Sequence, residues 1–101
     1  MFIAKVIGTV VSTQKTPIMT GQKLLLIEPY VLDPNDQTSL ITYGKTLVAV
    51  DTVGAGENEF VLVVQGSSAR MAPETKALPV DTTAIGIIDS VHVERKTVRL
   101  K

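Results

Sequence analysis

Glu59-Phe60-Val61-Leu62-Val63-Val64-Gln65 is the stretch that decides the fold class of this 101-residue chain. Its interior residues are all apolar, and its valines carry the branched Cβ that favours pleated strands. The same bias extends over the whole chain, since Val, Ile and Thr supply 34 of the 101 residues. Strong helix signals are nearly absent. We therefore predict an all-β fold.

Short strands separated by Gly and Pro breakers organise the rest of the chain. We predict strands at Phe2–Thr13, Lys23–Ile27 (extending toward Val31), Thr46–Val53, Glu59–Gln65 and Ala84–Val93, and a short charged edge at Thr97–Leu100. An interior glycine, Gly8, indicates a bulge or a bend. Pro29 indicates that the far end of the second strand lies on an edge.

Two connections carry their own signals. The polar segment Asp33–Thr38 has turn chemistry. The segment Gly66–Met71 predicts one helical turn capped by a serine. Five or six short strands with glycine-marked corners predict a small OB-like antiparallel β-barrel, as one domain over residues 1–101.

The strands are apolar on both faces. Leu25 and Ile27 oppose Leu24 and Leu26, whereas a small barrel facing water alternates apolar and polar positions. One interior cannot hold both sets. A second buried surface, most simply a subunit interface, accounts for the remainder; the alternative is a cover of loops.

Composition excludes several classes of function. Ten basic residues balance ten acidic ones, so the chain lacks the basic excess of a nucleic-acid binder and has little attraction to acidic membranes. It has no cysteine and no apolar run of membrane-spanning length. Met1–Lys5 leads directly into a strand without a secretory pattern, so we expect a cytoplasmic protein.

Catalytic and metal-binding groups are sparse. His92 is the only histidine, and Asp89, three residues earlier, would lie on the opposite face of a strand. Asp51, Asp81 and Asp89 each fit a turn or a strand end, which is the commoner use of aspartate. We expect no catalytic site and no metal site.

Cofactor-binding motifs are also weak. Gly54-Ala55-Gly56 follows a strand, but a nucleotide-binding loop needs a third glycine where Glu59 stands. Gly66-Ser67-Ser68 with Arg70 could form an anion nest, although a capped turn is the simpler interpretation. An OB-type barrel that binds nucleic acid or a small ligand remains the alternative function, although the four aromatic residues form no evident stacking platform.

Nearly the whole chain resembles the EutN/CcmL family, the pentamer-forming shell proteins of carboxysomes and related metabolosomes. The matching segments, in order, are Ile3–Thr13, Gly21–Leu26, Ala49–Gly56, Glu59–Val63, Gly66–Arg70, Pro79–Asp81 and Ile85–Asp89. The resemblance implies a bacterial microcompartment shell protein that self-assembles into a cyclic pentamer and is not an enzyme. It would cap the vertices of a polyhedral shell whose flat facets are hexamers of other proteins.

Two groups of residues are candidate sites within such a pentamer. We predict an axis or interface loop, where small residues relieve crowding and Glu57 forms a ring of carboxylates: Gly54, Ala55, Gly56 and Glu57. The alternative is a tight hairpin that needs glycine for its own turn and contacts no neighbouring subunit. We also predict a structural corner in which Arg70 bonds a carboxylate: Gly66, Ser67, Ser68 and Arg70, with Asp51 and Asp81 as candidate partners.

Overall fold

The computed structural model describes residues 1–11, 21–42, 44–66 and 81–100. Strands dominate these ranges: β1 Phe2–Val10, β2 Leu24–Asp33, β3 Asp36–Thr42, β4 Leu47–Asp51, β5 Phe60–Gln65, β6 Thr82–Ile88, β7 His92–Val93 and β8 Lys96–Thr97. The prediction of an all-β fold is confirmed. The predicted helical turn lies outside the described residues, apart from Gly66.

Five strands close into a barrel. β1 pairs with both β2 and β5, which turns the order β1-β5-β6-β4-β2 into a ring. Each pair in the ring is antiparallel except β4 and β6, which run parallel where Val50 faces Thr83 and Asp51 faces Ala84. A ring with an odd number of strands cannot alternate direction throughout. The OB-like barrel is therefore confirmed, with one parallel pair that the sequence analysis did not predict.

The segment predicted as a polar loop is mostly a strand. Only Pro34 and Asn35 form the turn, and the Asn35 amide donates to Asp33 Oδ1 at 2.9 Å. β3 follows at once and pairs antiparallel with the end of β2. The predicted turn chemistry is confirmed at Pro34–Asn35, but the loop is shorter than Asp33–Thr38 because this two-residue turn brings the polar residues directly into a hairpin.

The C-terminal boundaries also differ from the prediction. β6 ends at Ile88 rather than Val93, and His92–Val93 forms a separate small ladder with Lys96–Thr97. Glu94 and Arg95 between them have positive φ angles of 48° and 68°, which makes a tight turn. The predicted edge strand at Thr97–Leu100 is therefore displaced toward the N-terminus.

The predictions for Gly8 and Pro29 are confirmed. The β1–β2 register shifts between Val6 and Gly8, so Ile7 is the bulged residue. On one side of β2, Pro29 pairs with Ala4 of β1. On the other side, the pairing with β4 ends at Ile27 and the pairing with β3 begins at Tyr30, so Pro29 lies in the gap between them. A residue without an amide proton is tolerated at such a gap.

The barrel interior is the core. Nine of its side chains are at most 1% exposed: Ala4, Val6, Leu25, Ile27, Ala49, Ala55, Val61, Val63 and Ala84. The opposite strand faces remain apolar, as predicted from the sequence. Leu24 and Leu26 are half-buried, and Val48 is 49% exposed.

Candidate functional site

The loop after β4 is built on the side chain of Asp51. Its Oδ1 accepts hydrogen bonds from the amides of Val53 and Gly54 at 2.9 and 3.0 Å, and its Oδ2 accepts one from Ala55 at 3.0 Å. The side chain is only 1% exposed. Three amide donors compensate a buried carboxylate well, because hydrogen bonds to an ionised acceptor are stronger than neutral ones. Asp51 therefore fixes the backbone conformation of the loop.

Lys23 completes this network from the neighbouring strand end. Its Nζ donates to the Ala55 carbonyl at 2.8 Å and lies 3.4 Å from Asp51 Oδ2. The two residues face each other because β2 and β4 pair in register from Leu24 and Val50. Asp51 was predicted from the sequence, whereas Lys23 was not, because its pairing depends on that long-range register.

The predicted axis loop is partly exposed and partly core. Gly54, Gly56 and Glu57 are exposed, but the Ala55 side chain is 1% exposed and packs in the core of its own barrel. The expectation that a side chain at position 55 crowds neighbouring subunits is therefore wrong. The position of the loop relative to a five-fold axis stays a prediction, and it depends on Gly54, Gly56 and Glu57.

A second turn returns the chain from this loop to β5. The Glu59 amide donates to the Gly56 carbonyl at 3.2 Å, and Glu59 Oε1 accepts from the Gly56 amide at 2.6 Å. Asn58 adopts a φ of 69°, which asparagine tolerates better than most residues. The Asn58 amide and the Glu59 carbonyl also bond the backbone of Val6 on β1. These bonds attach the loop to the barrel rim.

Only part of the predicted corner falls within the described residues. Gly66 has a φ of 69°, in the region that favours glycine, and its amide donates to the Asp81 carbonyl at 2.7 Å. Ser67, Ser68 and Arg70 lie outside the described residues, so their bonding remains a prediction. The contribution of Asp81 here comes from its backbone carbonyl. Asp51, the other candidate partner, already accepts from three amides and faces Lys23.

The remaining candidates do not assemble a reactive site within the described ranges. His92 contacts the hydroxyls of Ser90 and Thr97 at 3.1 and 3.3 Å, all at an exposed turn. The described residues contain no cluster of three or more His, Asp or Glu side chains placed to hold a metal ion. They also contain no helix long and apolar enough to span a membrane.

The C-terminal segment docks on the hairpin of β2 and β3. The Arg99 amide donates to the Thr38 carbonyl at 2.9 Å, and its guanidinium contacts Asp36 Oδ2 at 3.1 Å. Beside it lies a cavity of about 150 Å³, lined by Tyr30, Ser39, Leu40, Phe60 and Arg99. The Tyr30 and Phe60 rings meet edge to face at 5.3 Å. Partial burial, followed by the hydrogen bond with Glu28, raises the pKa of Tyr30 above its ordinary value of 10.0.

Comparison with known proteins identifies the family. The family described as ethanolamine utilisation protein EutN/carboxysome matches residues 1–89. The chain belongs to the EutN/CcmL family. A family member from Synechocystis, the carboxysome shell vertex protein CcmL, is 52% identical over 93 residues, which cover 92% of this chain and 87% of the relative.

Solved structures of family members have the same fold. The CcmL structure from Gloeobacter violaceus is 42% identical, has a TM-score of 0.83, and the match covers 100% of this chain and 98% of that one. The pentameric microcompartment shell protein GrpN from Rhodospirillum rubrum is 43% identical with a TM-score of 0.75, covering 92% and 98% of the two chains. Family members from both carboxysomes and other microcompartments therefore share this barrel.

Proposed function

We propose that this chain is a structural subunit that forms a homopentamer and caps the vertices of a bacterial microcompartment shell. The observation that carries the proposal is the near-complete match to a pentameric shell protein, GrpN, at 43% identity. Relatives named as shell vertex proteins match over at least nine-tenths of this chain. The chain would act in the cytoplasm, within the shell, and by assembly rather than by catalysis.

The mechanism is geometric. Hexagonal units tile a flat sheet. A pentagonal unit has five neighbours instead of six, and the sheet must curve to close the missing sector. A ring of identical subunits needs head-to-tail contacts between two different surfaces of each subunit. The apolar outer positions of the strands supply surface for such contacts, and the partners at the rim of the pentamer are the hexameric facet proteins.

Co-expression with facet proteins tests this role. With the wild-type chain we expect closed polyhedral shells by electron microscopy, and without it open or elongated ones. Val48→Lys is a useful comparison, because Val48 is 49% exposed and its replacement should leave the barrel folded. Closed shells of normal shape formed without the chain would contradict the proposal.

The alternative of an OB-type binding barrel gains no support from the hairpin region. Stacking of bases requires exposed aromatic faces. Phe60 is 4% exposed and engages Tyr30 edge to face, and Arg99 is already paired with Asp36. These groups stabilise the fold of the hairpin instead.

A further inference from the structure

The core-facing stripe of β2 continues beyond the end of the barrel. Alternate residues of a strand share one face, so Leu25, Ile27, Pro29 and Val31 form a single stripe. The first three are buried, whereas Val31 is 46% exposed. Its cross-strand partner Ile41 is 40% exposed. The Val31–Ile41 pair is therefore an exposed apolar surface that the barrel interior does not cover.

The register explains why this pair is uncovered. Pairing between β1 and β2 stops at Ile3 and Tyr30, and β4 stops opposite Ile27. Beyond Tyr30, β3 is the one described strand that pairs with β2. The hairpin therefore projects past the barrel while keeping its apolar face, which favours a cover from another molecule.

A second apolar surface lies on the outside of the barrel. Gly8, Leu26 and Val48 stand side by side on β1, β2 and β4. Leu26 is half-buried and Val48 is 49% exposed. A Cβ built at Gly8 would have no atom within 4 Å, so the space outside β1 at this position is open. We call these three residues the barrel-wall row.

We propose that the Val31–Ile41 pair of each subunit packs on the barrel-wall row of the next subunit in the ring. The inference rests on the proposed pentamer and specifies its contact. A head-to-tail ring needs two unlike surfaces on one subunit that fit each other, and a projecting apolar pair can pack on an apolar row where Gly8 leaves open space. Opposite charges lie near the two surfaces in sequence: Asp33 is two residues after Val31, and exposed Lys45 is three residues before Val48.

Cysteine cross-linking tests this contact directly, because the natural chain has no cysteine. The double variant Val31→Cys/Val48→Cys places one cysteine on each surface. The two positions cannot join within a subunit, because Leu26 faces Val48 and Val31 lies five residues further along β2, roughly 16 Å away. A disulfide requires Cα atoms within about 7 Å. Each disulfide formed must therefore link two subunits.

On mild oxidation we expect the double variant to give a non-reducing gel ladder from dimer to pentamer. The single variants should run as monomers. Val31→Cys/Ile87→Cys is the matched control: Ile87 is 38% exposed and lies on β6, outside the barrel-wall row of β1, β2 and β4, so no ladder is expected.

Native mass separates failure of this inference from failure of the proposed function. A double variant that is pentameric in native mass but gives no ladder would overturn the hairpin contact and leave the pentamer standing. A monomeric wild-type chain would overturn both. As a second readout, Val31→Glu should raise the concentration needed for half-assembly at least tenfold while leaving the thermal unfolding of the subunit unchanged. Assembly of Val31→Glu at wild-type concentrations would also contradict the contact.

Discussion

The Nζ of Lys23 lies 3.4 Å from Oδ2 of Asp51, at the point where β2 begins and β4 ends. Lys23 is half exposed, whereas the Asp51 side chain is 1% exposed and also bonds three loop amides. An ion pair with one exposed partner is worth little. The buried amide bonds of Asp51 should therefore dominate the stability of this loop.

We expect Asp51→Asn to lower the free energy of unfolding by about 2 kcal/mol. The side-chain nitrogen of Asn is a donor, so it would leave at least one buried backbone N–H without an acceptor. Urea denaturation measures the change. Asp89→Asn is a suitable control, since Asp89 is exposed and makes no side-chain bond to the described residues. Equal stability of the two variants would show that the Asp51 network does not hold the loop.

Ala55 provides a test of core packing. Its side chain is 1% exposed in the barrel core, so Ala55→Leu should overpack the subunit and cost about 1–3 kcal/mol. Gly56→Ala should be mild, because the added Cβ would lie 3.4 Å from Glu59 Oε1, which is an ordinary van der Waals contact. Thermal unfolding at a fixed subunit concentration compares the two. Unchanged thermal stability of Ala55→Leu would contradict tight packing around position 55.

The contribution of Asp36 to stability should depend on pH. Hydrogen bonds from the Thr38 hydroxyl and amide, and then the contact with Arg99, hold the pKa of Asp36 below its ordinary value of 3.8. A carboxyl group whose native pKa is depressed stabilises the fold above its unfolded pKa, and this contribution is lost as pH falls through the native pKa.

The difference in unfolding free energy between wild type and Asp36→Asn should therefore be constant above about pH 5 and shrink below pH 3.8. Urea denaturation over a pH series measures it. If the difference in unfolding free energy grew on acidification, it would contradict a lowered pKa of Asp36 in the folded protein.

Glu57 tests the predicted axis loop. If five copies of this exposed carboxylate converge near the axis, their mutual repulsion opposes assembly, and salt screens it. Glu57→Gln should then stabilise the pentamer at low ionic strength and have little effect near 1 M salt, where the Debye length is about 3 Å. Dissociation of the wild-type and Glu57→Gln pentamers on dilution, at low and at high salt, measures the difference. No difference at low salt would place the loop away from the axis.

The sequence predicted the barrel because strand runs and glycine corners are local signals. Gly8 at the bulge and Gly66 at a positive φ both have local conformational causes. β3 was missed because its polar start, Asp36-Gln37-Thr38, masks the Leu40-Ile41 pair that follows. Pro34 and Asn35 are both turn-forming residues, and their position between Val31-Leu32 and Leu40-Ile41 was the signal that could have revealed the hairpin.

The candidate site was harder to predict because its contacts are long-range. Asp51 meets Lys23 only through the pairing register of β2 and β4. Glycines on either side of Ala55 suggested a small residue chosen for crowding between subunits. In the barrel, alanine is instead required by the core of its own subunit. Composition alone cannot distinguish these two causes of a small side chain.

Native mass spectrometry of the purified chain at micromolar concentration tests the central claim most directly. We predict one dominant species at five times the 10.8 kDa subunit mass. Reduction of that species to monomer by Val48→Lys, with the barrel still folded, would locate its contacts on the outer wall. A wild-type chain that stays at the subunit mass would contradict assembly altogether, and a stable hexamer or dimer would contradict the vertex role.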